Sequence, residues 1–264
     1  MTDNHLSLEE EANQLARKLF GNDRQKCLVF TRRLLDIYTT AQDNDFLLIH
    51  NPGGWGNTRL EHCLQWERSI VEGISNTLRK RGYTGALIQH FRTGTGLREI
   101  MRDIREQARF FTSKAEILAA ELKFITGHLN SLKVILIGAS QGAAFSNAVL
   151  QRVNNLEPVH SIELGTPFFY KSRRVITKKT LAIDSNGLMP DAMMEWDVLT
   201  ILKAFAAAPF RWIKYRLQGT PIRFSYCINV PGHEYNWEYP EVQQHIEDFL
   251  GLNFITKSVE VESR

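Results

Sequence analysis

Short apolar runs alternate along the chain with longer segments in which apolar residues recur every three or four positions. Short runs of this kind predict buried β-strands, and the longer periodic segments predict amphipathic helices. The runs that predict strands are 46–50, 85–91, 133–137, 160–164, 180–184 and 223–230. The segments that predict helices are 6–41, 59–81, 97–129, 142–153, 240–250, and 191–217, the last with an interruption at Pro209.

Strands that alternate with helices are typical of a parallel sheet covered on both faces. We therefore predict an α/β fold with a mostly parallel sheet of about six strands, in one domain over residues 1–264. Residues 1–45 are expected to form a helical N-terminal extension, which Ser7 and Glu10 begin with a capping box. In such sheets, functional sites lie at the carboxyl ends of the strands.

The apolar segment 188–218 has two interpretations. It is either a core helix followed by a solvated basic turn, or a cap that covers the site and shapes an apolar pocket. Its second half mixes Arg211, Lys214 and Arg216 with aromatic residues. That mixture is also compatible with contact to a membrane surface.

Composition excludes several classes of protein. The net charge is only +3 and no block of Lys and Arg is present, which argues against a nucleic-acid partner. The three cysteines have no zinc-like spacing, so we expect no metal site and a reduced interior. The first residues are polar and acidic, and no apolar run is long enough to span a bilayer. We therefore expect a cytoplasmic protein without a transmembrane segment.

A tight turn of small residues separates the third predicted strand from the helix that follows it. It reads Gly138-Ala139-Ser140-Gln141-Gly142, the pattern G-x-S-x-G. A serine at the tip of such a turn sits in strained backbone geometry, and the residues two before and two after it must be small. An ordinary glycine-rich turn and a dinucleotide-binding turn are the alternatives. The second is disfavoured because that turn normally follows the first strand of its fold.

Several stretches together resemble the α/β-hydrolases of the lipase and esterase kind over residues 46–250. They are the loop HNPGGWG, the serine turn, IELGTPFF and GHEYNWEYPEV. The resemblance implies that Ser140 is the nucleophile and that His233, after the last predicted strand, is the general base. It also implies an oxyanion site made by the N–H of Gln141 and an N–H of Gly53 or Gly54, with Trp55 at the wall of the pocket.

The acid of the triad stays open, because Asn186 occupies the position at which similar hydrolases carry it. Asp184 at the end of the fifth predicted strand is the first candidate, Asp191 is close behind it, and Glu163 is third. An asparagine can orient an imidazole but cannot stabilise its charged form.

Two functions follow from these residues. The first is a serine hydrolase that cleaves a carboxylic ester, with a lipid or another apolar acyl compound as the candidate substrate and no cofactor. The second is an inactive protein of the hydrolase fold that serves as a binding module or scaffold, an alternative that rests on Asn186. The oligomeric state stays open.

Overall fold

The computed structural model describes residues 7–94, 96–219 and 224–254. Its sheet has five parallel strands in the order β2-β1-β3-β4-β5. The strands are β1 (Phe46–Asn51), β2 (Gly85–Gln89), β3 (Lys133–Ala139), β4 (Val159–Leu164) and β5 (Thr180–Ile183). The α/β class, the parallel sheet and five of the predicted strands are thus confirmed.

Eight α-helices connect and cover these strands in the part of the chain that the structure describes. They are α1 (Leu8–Phe20), α2 (Arg24–Ala41), α3 (Gln65–Lys80), α4 (Leu97–Ala108), α5 (Thr112–His128), α6 (Gln141–Arg152), α7 (Val198–Leu217) and α8 (Pro240–Asn253). Short 3-10 helices lie at Leu60–His62, Phe168–Arg173 and Phe224–Cys227. Each helix of the described ranges is too short or too polar to cross a lipid bilayer.

The sheet separates two hydrophobic cores. Alternate side chains of β1 and β3, such as Leu47 and Leu136, pack on one face against α1, α2, α5 and α6. Their neighbours Leu48 and Ile135 pack on the other face against α3 and α8. Because both faces are covered, β1 and β3 are apolar along most of their length. The N-terminal helices are therefore part of the core that supports the sheet.

Two long helical predictions are each divided in two. The capping box of Ser7 and Glu10 forms as expected, but the helix ends at Gly21, whose φ is +60°. Residue 6, where the prediction began, lies outside the described residues. The segment 97–129 breaks where Phe110 and Phe111 have φ values of 55° and 56°. Such left-handed backbone cannot continue an α-helix.

The sixth predicted strand is wrong for residues 224–230, none of which joins the sheet; Arg223 lies outside the described residues. Part of this run forms the 3-10 helix, and Ile228 and Val230 pack on α7. Arg211 of α7 donates hydrogen bonds to the carbonyls of Cys227 and Asn229. The apolar run is therefore buried by a helix instead of by a strand partner.

The interruption predicted at Pro209 is also wrong, because α7 continues through it. A proline in a helix removes one hydrogen bond to the carbonyl four residues earlier. That carbonyl belongs to Phe205, a residue that is about half exposed on the outside of the helix.

Candidate functional site

The turn between β3 and α6 holds Ser140 in a strained conformation. Its φ and ψ are 52° and −119°, although it is not a glycine. Its N–H donates to the carbonyl of Leu164 at the end of β4, at 2.8 Å. A Cβ on Gly138 would lie 2.5 Å from the carbonyl oxygen of Gly142, and one on Gly142 would lie 2.0 Å from that of Asn51. Both glycines are therefore required by close backbone contacts at the base of the turn.

His233 and Asp191 meet although 42 positions separate them in the sequence. The Nδ1 atom of His233 lies 2.8 Å from Oδ2 of Asp191, which also accepts a 2.6 Å bond from the hydroxyl of Tyr235. The other carboxylate oxygen accepts the N–H of Met193 at 2.8 Å. Burial alone would raise the pKa of Asp191, but the hydrogen bonds from His233 and Tyr235 outweigh it and hold the pKa below its ordinary value. Asp191 is therefore a buried, charged acceptor.

Two glycines bring this pair to the edge of the sheet where Ser140 lies. A Cβ on Gly232 would lie 2.1 Å from the carbonyl oxygen of Pro190, so the two loops are in direct backbone contact. A Cβ on Gly165 would lie 2.9 Å from Cε1 of His233. Gly165 follows the residue whose carbonyl binds the N–H of Ser140, so His233 and Ser140 both lie next to the end of β4.

Asp184, the first candidate for the acid of the triad, binds an arginine instead of His233. Both of its carboxylate oxygens accept from Nη1 of Arg174, at 2.8 and 2.9 Å. The Nε atom of the same guanidinium donates to Glu163 at 3.0 Å. The strand ends place these two carboxylates around a buried arginine, whereas the next loop carries Asp191 to His233. In this structure Asp184 therefore contacts Arg174 and Asp191 contacts His233, and the identity of the acid stays a prediction.

Glu163 also accepts hydrogen bonds from Asn147 and Ser161, and its side chain is fully buried. Burial raises the pKa of Glu163 to about 7, although Arg174 and the other donors favour the charged form. The folded state then binds a proton that the unfolded state has lost, so this group stabilises the fold at acid pH. That contribution declines as the pH rises through the folded pKa.

We therefore expect Glu163→Gln to gain thermal stability relative to wild type as the pH is raised from about 5 to about 8. The amide cannot ionise, so it keeps its contribution where the carboxyl loses it. Melting temperatures of the two proteins, measured across this range, provide the test. A difference that does not change with pH would contradict the expectation.

Asn186 has a structural role in the loop. Its side-chain oxygen accepts the N–H groups of Leu188 and Met189, and its amide donates to the carbonyl of Glu234 at 3.0 Å. It thus ties the loop before Asp191 to the loop that carries His233. The carboxylate that contacts His233 in this structure is that of Asp191, five positions further along the loop.

The glycine loop after β1 lies beside Ser140. A Cβ on Gly53 would lie 3.6 Å from Cβ of Ser140, while the N–H of Gly53 faces a carboxylate oxygen of Glu67 at 3.4 Å. Gly54 has a φ of +54°, and Trp55, at the next position of the same turn, is 41% exposed. Gln141 is the first residue of α6, where backbone N–H groups have no partner within the helix.

Arg92 holds this loop, and sequence reasoning missed it. Its guanidinium donates to the carbonyls of Pro52 and Gly54 at 2.8 and 2.7 Å, and its own N–H donates to Gly56 at 2.8 Å. Burial lowers the pKa of Arg92 to about 10, so it remains charged at neutral pH. The residues next to Arg92 in the sequence do not indicate this role, because its partners are backbone atoms about forty positions earlier.

Two further contributors were missed. Tyr235 donates to Asp191, and Glu67 faces the glycine loop from α3. The sequence GHEY places Tyr235 two positions after His233, but nothing in the sequence shows that its hydroxyl contacts Asp191. Glu67 falls on an amphipathic helix, where a charged residue is ordinarily solvated.

One group of side chains in the described residues has donor atoms close enough for a metal ion. Donor atoms of His50, Cys63 and Glu67 lie within 4.8 Å of one another, and all three side chains are buried. The expectation that the protein has no metal site stays a prediction.

Comparison with known proteins gives no family. No protein-family model matches the sequence, and no curated protein matches it significantly. Among solved structures, the chain is similar to a Trichoderma reesei cutinase in complex with a C11Y4 phosphonate inhibitor. The two are 13% identical, the match covers 92% of this chain and 90% of that one, and the TM-score is 0.46. The roles of the site residues therefore have to be argued from this chain alone.

Proposed function

We propose that this protein is a serine hydrolase of the α/β-hydrolase kind that cleaves carboxylic esters. The observation that carries the proposal is the 2.8 Å contact of His233 with the buried Asp191, at the edge of the sheet where Ser140 occupies a strained turn. Strained backbone persists only where surrounding structure enforces it, and it concentrates at functional sites.

In the proposed reaction, Oγ of Ser140 attacks the ester carbonyl while Nε2 of His233 takes the hydroxyl proton. Asp191 accepts the Nδ1–H of His233, which leaves Nε2 as the basic nitrogen, and it stabilises the imidazolium that forms. His233 then gives its proton to the departing alcohol. A water molecule attacks the acyl-enzyme with His233 as base, and this step restores the free serine.

The oxyanion of each tetrahedral intermediate needs two N–H donors. We assign one to Gln141, at the N-terminus of α6, where the helix dipole also favours negative charge. We assign the other to Gly54, because the N–H of Gly53 is directed toward Glu67. Arg92 would keep the loop in position by binding the carbonyls on either side of Gly53.

The alternative of an inactive binding protein has lost its main support. It rested on an asparagine at the expected acid position, and Asn186 has loop partners of its own. The substrate class and the acyl-enzyme remain proposals that the following experiment tests.

The wild-type protein is to be incubated with a fluorophosphonate probe and its intact mass recorded, beside Ser140→Ala and the control Ser172→Ala. Ser172 is an exposed serine on the 3-10 helix after β4. We expect one adduct on wild type and on the control and none on Ser140→Ala, because only an activated serine reacts rapidly with the probe.

Folded wild-type protein without an adduct would overturn the proposed mechanism. An adduct that persists in Ser140→Ala would place the reactive group at another residue. A series of esters of increasing acyl length, tested on labelling-competent protein, then defines the substrate.

A further inference from the structure

The apolar side chains of helix α7 are distributed in the opposite way to those of an ordinary surface helix. Its buried residues are the small Ala204 and Ala208, with Ile201 partly buried and Arg211 bonded to the carbonyl of Cys227. These positions recur at helical spacing and form the side that faces the protein. Surface helices usually turn their bulky apolar side chains inward. Here the bulky ones point outward.

Five of these side chains form what we call the outer face of α7. At 100° per residue, they fall within an arc of about 80°, on a helix about 30 Å long. Their exposed fractions are half or more in every case: Leu199 70%, Leu202 59%, Phe210 76%, Ile213 51% and Leu217 83%. A stripe of this size on a water-exposed surface is a docking surface or an aggregation hazard.

The charged residues of α7 indicate what kind of partner the outer face fits. The helix contains four cationic residues and no Asp or Glu. Lys203 and Lys214 lie along one border of the outer face, and Arg216 lies on the other side, over the ring of Trp212 at 4.2 Å. Long cationic side chains beside an apolar stripe can reach anionic headgroups while the stripe enters the acyl region.

We propose that the outer face of α7 docks on a lipid bilayer that carries anionic headgroups. A second copy of the chain would fit less well, because an isologous contact would bring the same cations of two helices together. An anionic bilayer satisfies both features, since it buries the apolar stripe and compensates the lysines.

The substrate class that this inference implies rests on the proposed function. In the chain, α7 lies between Asp191 and His233, and it packs through Ala204 on Ala192 and Val230. Ala192 follows Asp191, and the carbonyl of Val230 accepts the N–H of His233. Docking would therefore bring the site to the bilayer surface. The implied substrate class is an ester whose acyl chain resides in the membrane.

The test is flotation of full-length Ser140→Ala with vesicles, so that binding is measured without turnover. Vesicles of phosphatidylglycerol mixed with phosphatidylcholine are compared with vesicles of phosphatidylcholine alone. We expect binding to the anionic vesicles, and weakening by salt because the headgroup attraction is screened. Phe210→Asp combined with Leu217→Asp should reduce binding by about tenfold or more. A second pair, Lys203→Glu with Lys214→Glu, should remove the preference for anionic vesicles.

Leu252→Asp is the matched control, because Leu252 is 86% exposed on α8 and outside the outer face. It should bind like the parent. No binding to either vesicle, or binding that the Phe210 and Leu217 pair leaves unchanged, would overturn the inference. Light scattering that shows a dimer, dissociated by the same pair, would overturn it in favour of a second copy. Fluorophosphonate labelling of the wild type is scored separately, so failure of docking and failure of the hydrolase mechanism are distinguishable.

Discussion

Asp191→Asn should lower kcat by about 10³ to 10⁴ while leaving the protein folded. The side chain keeps its size but loses its charge. Because one carboxylate oxygen accepts from Met193 and the other from His233 and Tyr235, an amide cannot satisfy all three donors. If its NH₂ group faces His233, Nδ1 must become an acceptor and the proton moves to Nε2. The imidazole then cannot take the proton of Ser140.

Asp184→Asn is the matched control for this prediction. Its side chain is 38% exposed and binds Arg174 instead of His233, so its loss should change kcat by less than about threefold, the scale of a partly solvated ion pair. Ester hydrolysis and melting temperature are to be measured for both variants. Equal losses of activity, or a larger loss for Asp184→Asn, would show that the acid has been assigned to the wrong residue.

The elements that were predicted correctly are those that local pattern determines. β1 and β3 are largely apolar runs buried on both faces, and the capping box of Ser7 depends on a residue only three positions away. The G-x-S-x-G turn belongs to the same group, because its glycines are required by contacts within and directly beside the turn. In each case, the physical requirement is visible within a few residues.

The choice among the carboxylates could not be made in this way. Glu163 and Asp184 lie at strand ends and Asp191 lies in the loop after β5, so sequence position alone does not say which of the three meets His233. The contact between Pro190 and Gly232, in loops with no regular pattern, determines that Asp191 meets His233. The failed sixth strand has a similar cause. An apolar run indicates that its side chains are buried but not by what, and here they are buried against α7 instead of within the sheet.

Gly142→Ala should destabilise the protein by about 3 kcal/mol or more, a large effect for a single methyl group. The added Cβ would lie 2.0 Å from the carbonyl oxygen of Asn51 and 2.8 Å from that of Pro52. Both are backbone atoms, so no side-chain rotation relieves the contact. Either α6 moves away from β1, or the glycine loop is displaced from Ser140. We expect a fall in melting temperature of about 6 to 12 °C for a chain of this size, with a loss of fluorophosphonate labelling in the protein that still folds.

Gly127→Ala separates this steric effect from the general effect of replacing a glycine. Gly127 lies in α5, and a Cβ there would meet no atom within 4 Å. Alanine is favoured over glycine in a helix by up to about 1 kcal/mol, so this variant should be as stable as wild type or more so. A fall in melting temperature for Gly142→Ala and no fall for Gly127→Ala would show that the loss of stability comes from the contact between α6 and the end of β1. Equal melting temperatures would mean that the turn accommodates a larger residue, and the close approach would then not be what holds Ser140 in its strained conformation.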